Sequence, residues 1–237
     1  MDASLNSFHD IPVAGIQAMT TIDFPGKIAA ILFTRGCPWN CRYCHNSKLR
    51  RDGDHIPWDQ IESFLRERAG FLEGVVVSGG EPTFHKNLPA LLAWLRGLGF
   101  ATAIHTNGSS PAMLLHILRK GVVDYVAMDI KAPPAVYDRI TRIPNTCIEV
   151  SRSISIILKS GVEHEFRTTW HPAVLSETEL LDTVRTASRI GVKRYYLQQF
   201  QNLGVEDPEL AESTEHFAFP PAVVDEARRL FTSFDVR

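Results

Sequence analysis

The chain has 237 residues, 44% of them hydrophobic and 22% charged, and its 25 Lys and Arg against 27 Asp and Glu leave a formal charge of −2. That balance excludes a general nucleic-acid binder, which carries a basic excess, and excludes disorder, which needs low hydrophobicity with high net charge. Four cysteines are too few for a disulfide scaffold, and three of them fall within eight residues, which points to a ligand site. The first ten residues have neither the basic nor the apolar region of a signal peptide, and no stretch reaches the ~18 apolar residues of a spanning helix. The expectation is a cytoplasmic protein with free thiols and with no membrane or nucleic-acid partner.

Strand and helix patterns alternate along the chain. Residues 28–34 read as a strand, 61–68 as part of an amphipathic helix beginning near Pro57, and 74–78 as a second strand, apolar throughout as one buried on both faces should be. Residues 88–98 read as a helix, 101–106 as a third strand, and 111–119 as a helix after a Ser109-Ser110 cap signal. A fourth strand lies in 122–130, and a helix over 148–158 ends before Gly161. Residues 165–169 form a fifth strand. Ser176, with Glu179 three residues on, is a capping box opening a helix to about residue 190. Residues 194–198 are a sixth strand, and 221–231 fit a last helix. Such alternation means a parallel sheet with helical crossovers, either an open partial barrel or a doubly wound sheet. Both folds place their chemistry at the C-terminal ends of the strands.

The unusual residues fall there. Cys37, Cys41 and Cys44 follow the first strand, Gly79-Gly80-Glu81-Pro82 the second, and Thr106-Asn107-Gly108 the third. Asp129 and Lys131 end the fourth, Arg167 lies in the fifth, and Gln198 to Gln201 close the sixth. The cysteines are spaced by three and then two residues. Three thiolates on one tight loop can grip three irons of a cubane, leaving the fourth open to an exogenous ligand. The competing reading is a structural zinc loop with His45 or Cys147 as fourth ligand. Zinc sites of that kind usually pair two short hairpins, and no second hairpin is present.

This spacing after a first strand resembles the radical S-adenosylmethionine (SAM) superfamily, whose aromatic position between the last two cysteines is matched by Tyr43. Ser78-Gly79-Gly80-Glu81-Pro82 resembles its methionine-binding motif: two glycines would let backbone carbonyls approach the ligand's amino group, and Glu81 would add negative charge near that ammonium. The resemblance implies a partial (β/α)6 TIM-like barrel and two cofactors, one [4Fe-4S] cluster and SAM. It also implies that an electron from the cluster cleaves the sulfonium to a hydrogen-abstracting 5′-deoxyadenosyl radical. It implies one domain, with a core of about 15–204 and a C-terminal helical extension over 205–237.

Residues 21–26, the Cys44-His45-Asn46 step, Thr106-Asn107-Gly108 and Met128-Asp129-Ile130-Lys131 resemble the activases of glycyl radical enzymes. Phe166-Arg167-Thr168-Thr169 and Leu197-Gln198-Gln199-Phe200 have the texture of the anaerobic ribonucleoside-triphosphate reductase activators. What this implies is a glycine in a large partner enzyme as substrate, most readily an anaerobic ribonucleotide reductase, with flavodoxin or ferredoxin as electron donor. A pyruvate formate-lyase-type activase and a radical SAM enzyme acting on a small molecule are the alternatives. Asp129 and Lys131 match the family's pair near the cofactor carboxylate and the entering peptide, and alternation puts both on one face. Tyr43, Gly79, Gly80, Glu81, Thr106, Asn107, Asp129, Arg167 and Gln201 are the implied cofactor contacts. His105 stands where these activases carry an Asp associated with a monovalent cation, and an imidazole replaces a hard oxygen ligand poorly. His85 and His171 read as ordinary loop histidines and Cys147 as a core thiol, and with one cysteine to spare no second cluster is expected.

Overall fold

Eight strands follow one another across one sheet in the order of the chain: β1 (Val13–Thr20), β2 (Ala29–Thr34), β3 (Gly74–Gly79), β4 (Ala101–Thr106), β5 (Tyr125–Asp129), β6 (Glu163–Trp170), β7 (Arg194–Gln199) and β8 (Ser233–Val236). The structure is a computed structural model that describes residues 8–213 and 217–237; residues 1–7 of the segment read for a targeting signal lie outside them. β1 runs antiparallel to β2 and every later pair is parallel. The winding never turns back on itself, and a doubly wound sheet must do so at its switch point. The fold is therefore of the barrel type, left open between its edges β1 and β8.

The helices are α1 (Trp58–Arg68), α2 (Leu88–Gly97), α3 (Pro111–Arg119), the short α4 (Tyr137–Thr141), α5 (Thr146–Ser160), α6 (Glu177–Arg189), the short α7 (Pro208–Ala211) and α8 (Pro221–Leu230). Along each strand, side chains alternate between two environments. Val75, Val77, Ile104, Val126, Met128 and Phe166 pack with the helices in the main core. The residues between them, Ile31, Val76, Ala103, Tyr125 and Ala127, meet Phe24 on the concave face.

Local signals account for some helix boundaries and not for others. The Ser176 capping box forms, with Ser176 Oγ accepting from Glu179 N and the Glu179 carboxylate accepting from Ser176 N at 2.9 Å. The Ser110 hydroxyl, by contrast, makes no capping bond at the start of α3. The N-terminus of α5 is satisfied from outside the helix: the Asp138 carboxylate accepts from Asn145 N at 2.7 Å and from Thr146 N at 2.9 Å. Two strands were not anticipated. β1 is an edge strand with mixed exposure and broken register, so it lacks the alternation that marks a strand. β8 is four residues long and pairs with β7, so residues 205–237 hold a strand as well as α7 and α8. Among the described residues no helix is long and apolar enough to cross a membrane.

Candidate functional site

The loop after β2 has little regular structure and is anchored by its backbone. Gly36 N donates to Leu49 O at 2.8 Å, Cys37 N to Arg50 O at 3.3 Å, and Asn40 N to Thr141 O at 3.0 Å. Arg42 reaches Asp207 and Glu209, and Ser47 Oγ donates to Gly204 O at 2.6 Å, so the segment after β7 clamps the cysteine loop from the far side. Cys41 is buried, and Cys37 and Cys44 are half-buried. Burial, with Glu81 second, pushes the Cys37 thiol up to about 12; burial pushes Cys41 up to about 11, and Cys44 is raised for the same reason. In the protein alone these are neutral thiols, and a bound metal must displace their protons.

Among the described residues no three His, Cys, Asp or Glu side chains converge on one ion's position. A single zinc demands such convergence. A cubane does not, because each thiolate binds a different iron. Three free soft-donor thiols, one already approached by an amide donor (Asn107 Nδ2 to Cys37 Sγ, 3.5 Å), fit the cluster better than the zinc.

The Gly79-Gly80-Glu81 turn serves the chain itself. A Cβ on Gly79, which has φ +118°, would lie 2.3 Å from both the N and the O of Thr34, and one on Gly80 would lie 2.3 Å from Gly36 O. The glycines are thus demanded by the approach of β3 to β2 and to the cysteine loop. Glu81 is 1% exposed. Its Oε1 accepts from Thr106 Oγ1 at 2.7 Å, from Thr83 N at 3.0 Å and from the Thr83 hydroxyl; its Oε2 accepts from Asn107 N at 2.6 Å. Burial raises this carboxyl and the four donors oppose it. Glu81, read from the motif as a charge beside the ligand, has the turns after β3 and β4 as its partners.

Asp129 ends β5 and pairs in register with Arg167 of β6. Lys131 Nζ lies 3.2 Å from Asp129 Oδ2, and Arg167 Nε lies 3.2 Å from Asp129 Oδ1. Burial alone would raise Asp129, but Lys131 and Arg167 outweigh it and hold the carboxyl down to about 2. Burial alone would lower Lys131; its neighbours Tyr43, a neutral phenol, and Asp129, a carboxylate, outweigh burial and hold it well above the ordinary range, so it stays protonated. The Lys131 ammonium also sits 5.5 Å from the centre of the Tyr43 ring, which joins this cluster to the cysteine loop. His105, on the same concave face, donates through Nε2 to Asp23 O at 2.9 Å. Burial and the Arg167 charge hold its imidazole down to about 4, so it is neutral near pH 7.

The structure thus brings Cys37, Cys41, Cys44, Tyr43, Glu81, Thr106, Asn107, Asp129, Lys131 and Arg167 into one contiguous network at the strand ends. Gln201 is exposed beyond β7 and makes no side-chain hydrogen bond among the described residues. His85 ties the turn after β3 to the cysteine loop through Arg35 O at 2.7 Å, and His171 packs between Phe200 and Phe217. Cys147 packs against the main core. Sequence reasoning missed Tyr137, whose hydroxyl accepts from Lys131 N at 3.1 Å and whose ring meets Trp39 edge-on. It also missed the Asp23 carbonyl. Neither carries a motif, because both act through positions set by the fold.

Residues 31–187 match the profile of the Radical SAM superfamily. The chain is 32% identical over 203 residues to "Putative glycyl-radical enzyme activating enzyme MJ1227" of Methanocaldococcus jannaschii, covering 83% of each chain. It is 33% identical over 130 residues to a pyruvate formate-lyase-activating enzyme of Staphylococcus epidermidis, covering 49% of this chain and 51% of that one. Among solved structures, SuiB of Streptococcus suis bound to its precursor peptide SuiA superposes with a TM-score of 0.61 at 17% identity, over 85% of this chain and 46% of that chain. The chain therefore spans about half the length of the latter two and shares only the fold with SuiB.

Proposed function

Because the chain belongs to the radical SAM superfamily, and within it to the glycyl-radical-enzyme activating enzymes, we propose that it abstracts a hydrogen atom from a glycine of a large partner enzyme. The observation that carries this reading is the likeness to the M. jannaschii protein, which covers 83% of both chains rather than a motif. The superfamily's cofactors are a [4Fe-4S] cluster and SAM, which together supply one-electron cleavage to a hydrogen-abstracting radical. Cys37, Cys41 and Cys44 hold the cluster. Tyr43 and the turns of Gly79, Gly80, Glu81, Thr106 and Asn107 border it, and Gln201 is the outermost contact. Arg167 and Lys131 offer two largely buried cations to a carboxylate, and Asp129 bridges them through its two oxygens. Asp129 and Lys131 also face the entering peptide.

An anaerobic ribonucleotide reductase is the proposed partner, supported by the texture of Phe166-Arg167-Thr168-Thr169 and Leu197-Gln198-Gln199-Phe200. A pyruvate formate-lyase partner is the second reading, favoured by the S. epidermidis relative. A flavodoxin or ferredoxin is the proposed donor, in the cytoplasm. The test is to incubate the reduced, reconstituted chain and SAM with each candidate partner. A long-lived glycyl doublet by electron paramagnetic resonance is expected with the reductase. A doublet with the lyase alone would reassign the partner, and 5′-deoxyadenosine without any doublet would point to a small-molecule substrate.

A further inference from the structure

We propose that the side-chain amide of Asn107 sets the reduction potential of the cluster by donating a hydrogen bond to the Cys37 sulfur. The inference rests on the reading that the three cysteines carry a [4Fe-4S] cluster. Asn107 Nδ2 lies 3.5 Å from Cys37 Sγ. Which end of the amide faces the sulfur is decided by its other contact: Asn107 Oδ1 accepts from Ser109 N at 2.8 Å, so the donor end is the one turned to the thiol. Backbone N–H groups of Trp39 and Asn46 also approach Cys37 and Cys44, and among the described residues Cys37 is the one cysteine of the three that accepts from a side chain.

The turn that presents this amide is held at every residue. Asn107 N donates to Glu81 Oε2 at 2.6 Å and Gly108 N to Thr106 Oγ1 at 3.0 Å, while Ser153 Oγ donates to Gly108 O at 2.7 Å. Gly108 has φ +78°, and a Cβ there would lie 2.1 Å from Met128 Cε, so only glycine passes this point. Asn107 itself is 7% exposed. A donor that is both fixed and shielded acts at low local dielectric, where a hydrogen bond is electrostatically stronger.

When the cluster takes one electron from an external reductant, with no proton transferred, negative charge on its sulfurs rises. A donor aimed at a ligating sulfur then stabilises the reduced form more than the oxidised form, and the potential rises. Glu81 is the positioning residue for this device, since it holds the Asn107 backbone. Its place in the Gly-Gly-Glu turn thereby gains a purpose beyond the ligand contact that the motif suggests.

The test is a redox titration of the reconstituted full-length chain, without SAM or partner, followed by the paramagnetic signal of the reduced cluster. Asn107→Ala deletes the donor. Asn107→Asp keeps the acceptor for Ser109 N and replaces the donor by a carboxylate oxygen. With four irons retained, Asn107→Ala is expected to lower the ratio of reduced to oxidised cluster about tenfold at a given potential, a midpoint shift of about −59 mV for one electron. Asn107→Asp is expected to shift further the same way. Loaded variants with unchanged midpoints overturn the inference and leave the activase reading standing. A wild-type chain that holds no cluster would instead defeat the reading beneath it. Should a variant fail to load, the wild type decides: with 15N confined to asparagine side-chain amides, reduced-cluster nuclear-coupling spectra that show no coupling to that nitrogen also overturn the inference.

Discussion

Arg237→Ala should be among the most costly single changes outside the cysteine loop. Glu165 lies on the concave face of β6 with its side chain 2% exposed, and Arg237 meets it with Nη1 to Oε1 at 2.9 Å and Nη2 to Oε2 at 3.2 Å. The guanidinium also lies 3.6 Å over the centre of the Tyr196 ring. Its backbone is pinned on both sides, Arg237 N donating to Leu197 O at 2.8 Å and Gln199 N to Arg237 O at 2.7 Å. Removing one partner of a buried pair costs about 3–5 kcal/mol, because the other charge is stranded. The lost ring contact adds about 1 kcal/mol. For a chain of this size, 3–5 kcal/mol is a fall in Tm of roughly 6–20 °C. Denaturant unfolding and calorimetry of the cofactor-free chain measure it. Glu165→Gln in the Arg237→Ala background should recover much of the loss. A deficit under about 1 kcal/mol at pH 7 would refute the reasoning.

His105 is held neutral down to about 4, while an unfolded imidazole titrates near ~6.5. Between those values the unfolded chain binds more protons, so this contribution is complete above pH ~6.5 and is lost as pH falls toward 4. His105→Gln should flatten the acid limb of a stability–pH curve, and an unchanged limb would contradict the assignment. Ser176→Ala breaks the capping box of α6 and should cost about 1 kcal/mol in urea unfolding, against near-zero for exposed Glu177→Ala in the same turn. Cys41→Ala should abolish cluster assembly by iron analysis; full iron retention would exclude it as a ligand. Asp129→Ala should leave the iron content and cluster spectrum intact while suppressing the partner's glycyl signal, and undiminished activation would remove Asp129 from the site.

What could be read from the residues alone was whatever is encoded locally or repeated at the same place in every unit. Apolar runs such as Gly74-Val75-Val76-Val77 mark parallel strands because burial on both faces removes polar residues. The Ser176 and Glu179 pair marks a helix start because both halves of the box lie within one turn. The cysteine spacing and the motifs after each strand announced a cofactor site because the fold delivers every strand's C-terminal end to the same rim. The tertiary structure alone decided the winding direction, which depends on strand order and not on strand composition. It also decided that β1 and β8 pair at the edges, that Glu81 accepts from Thr106 and Asn107 as the support of the turn after β4, and that Arg237 neutralises Glu165 from 72 residues away. These contacts join segments far apart in sequence, and a carboxylate's partner across such a distance leaves no periodic trace in the chain that carries it.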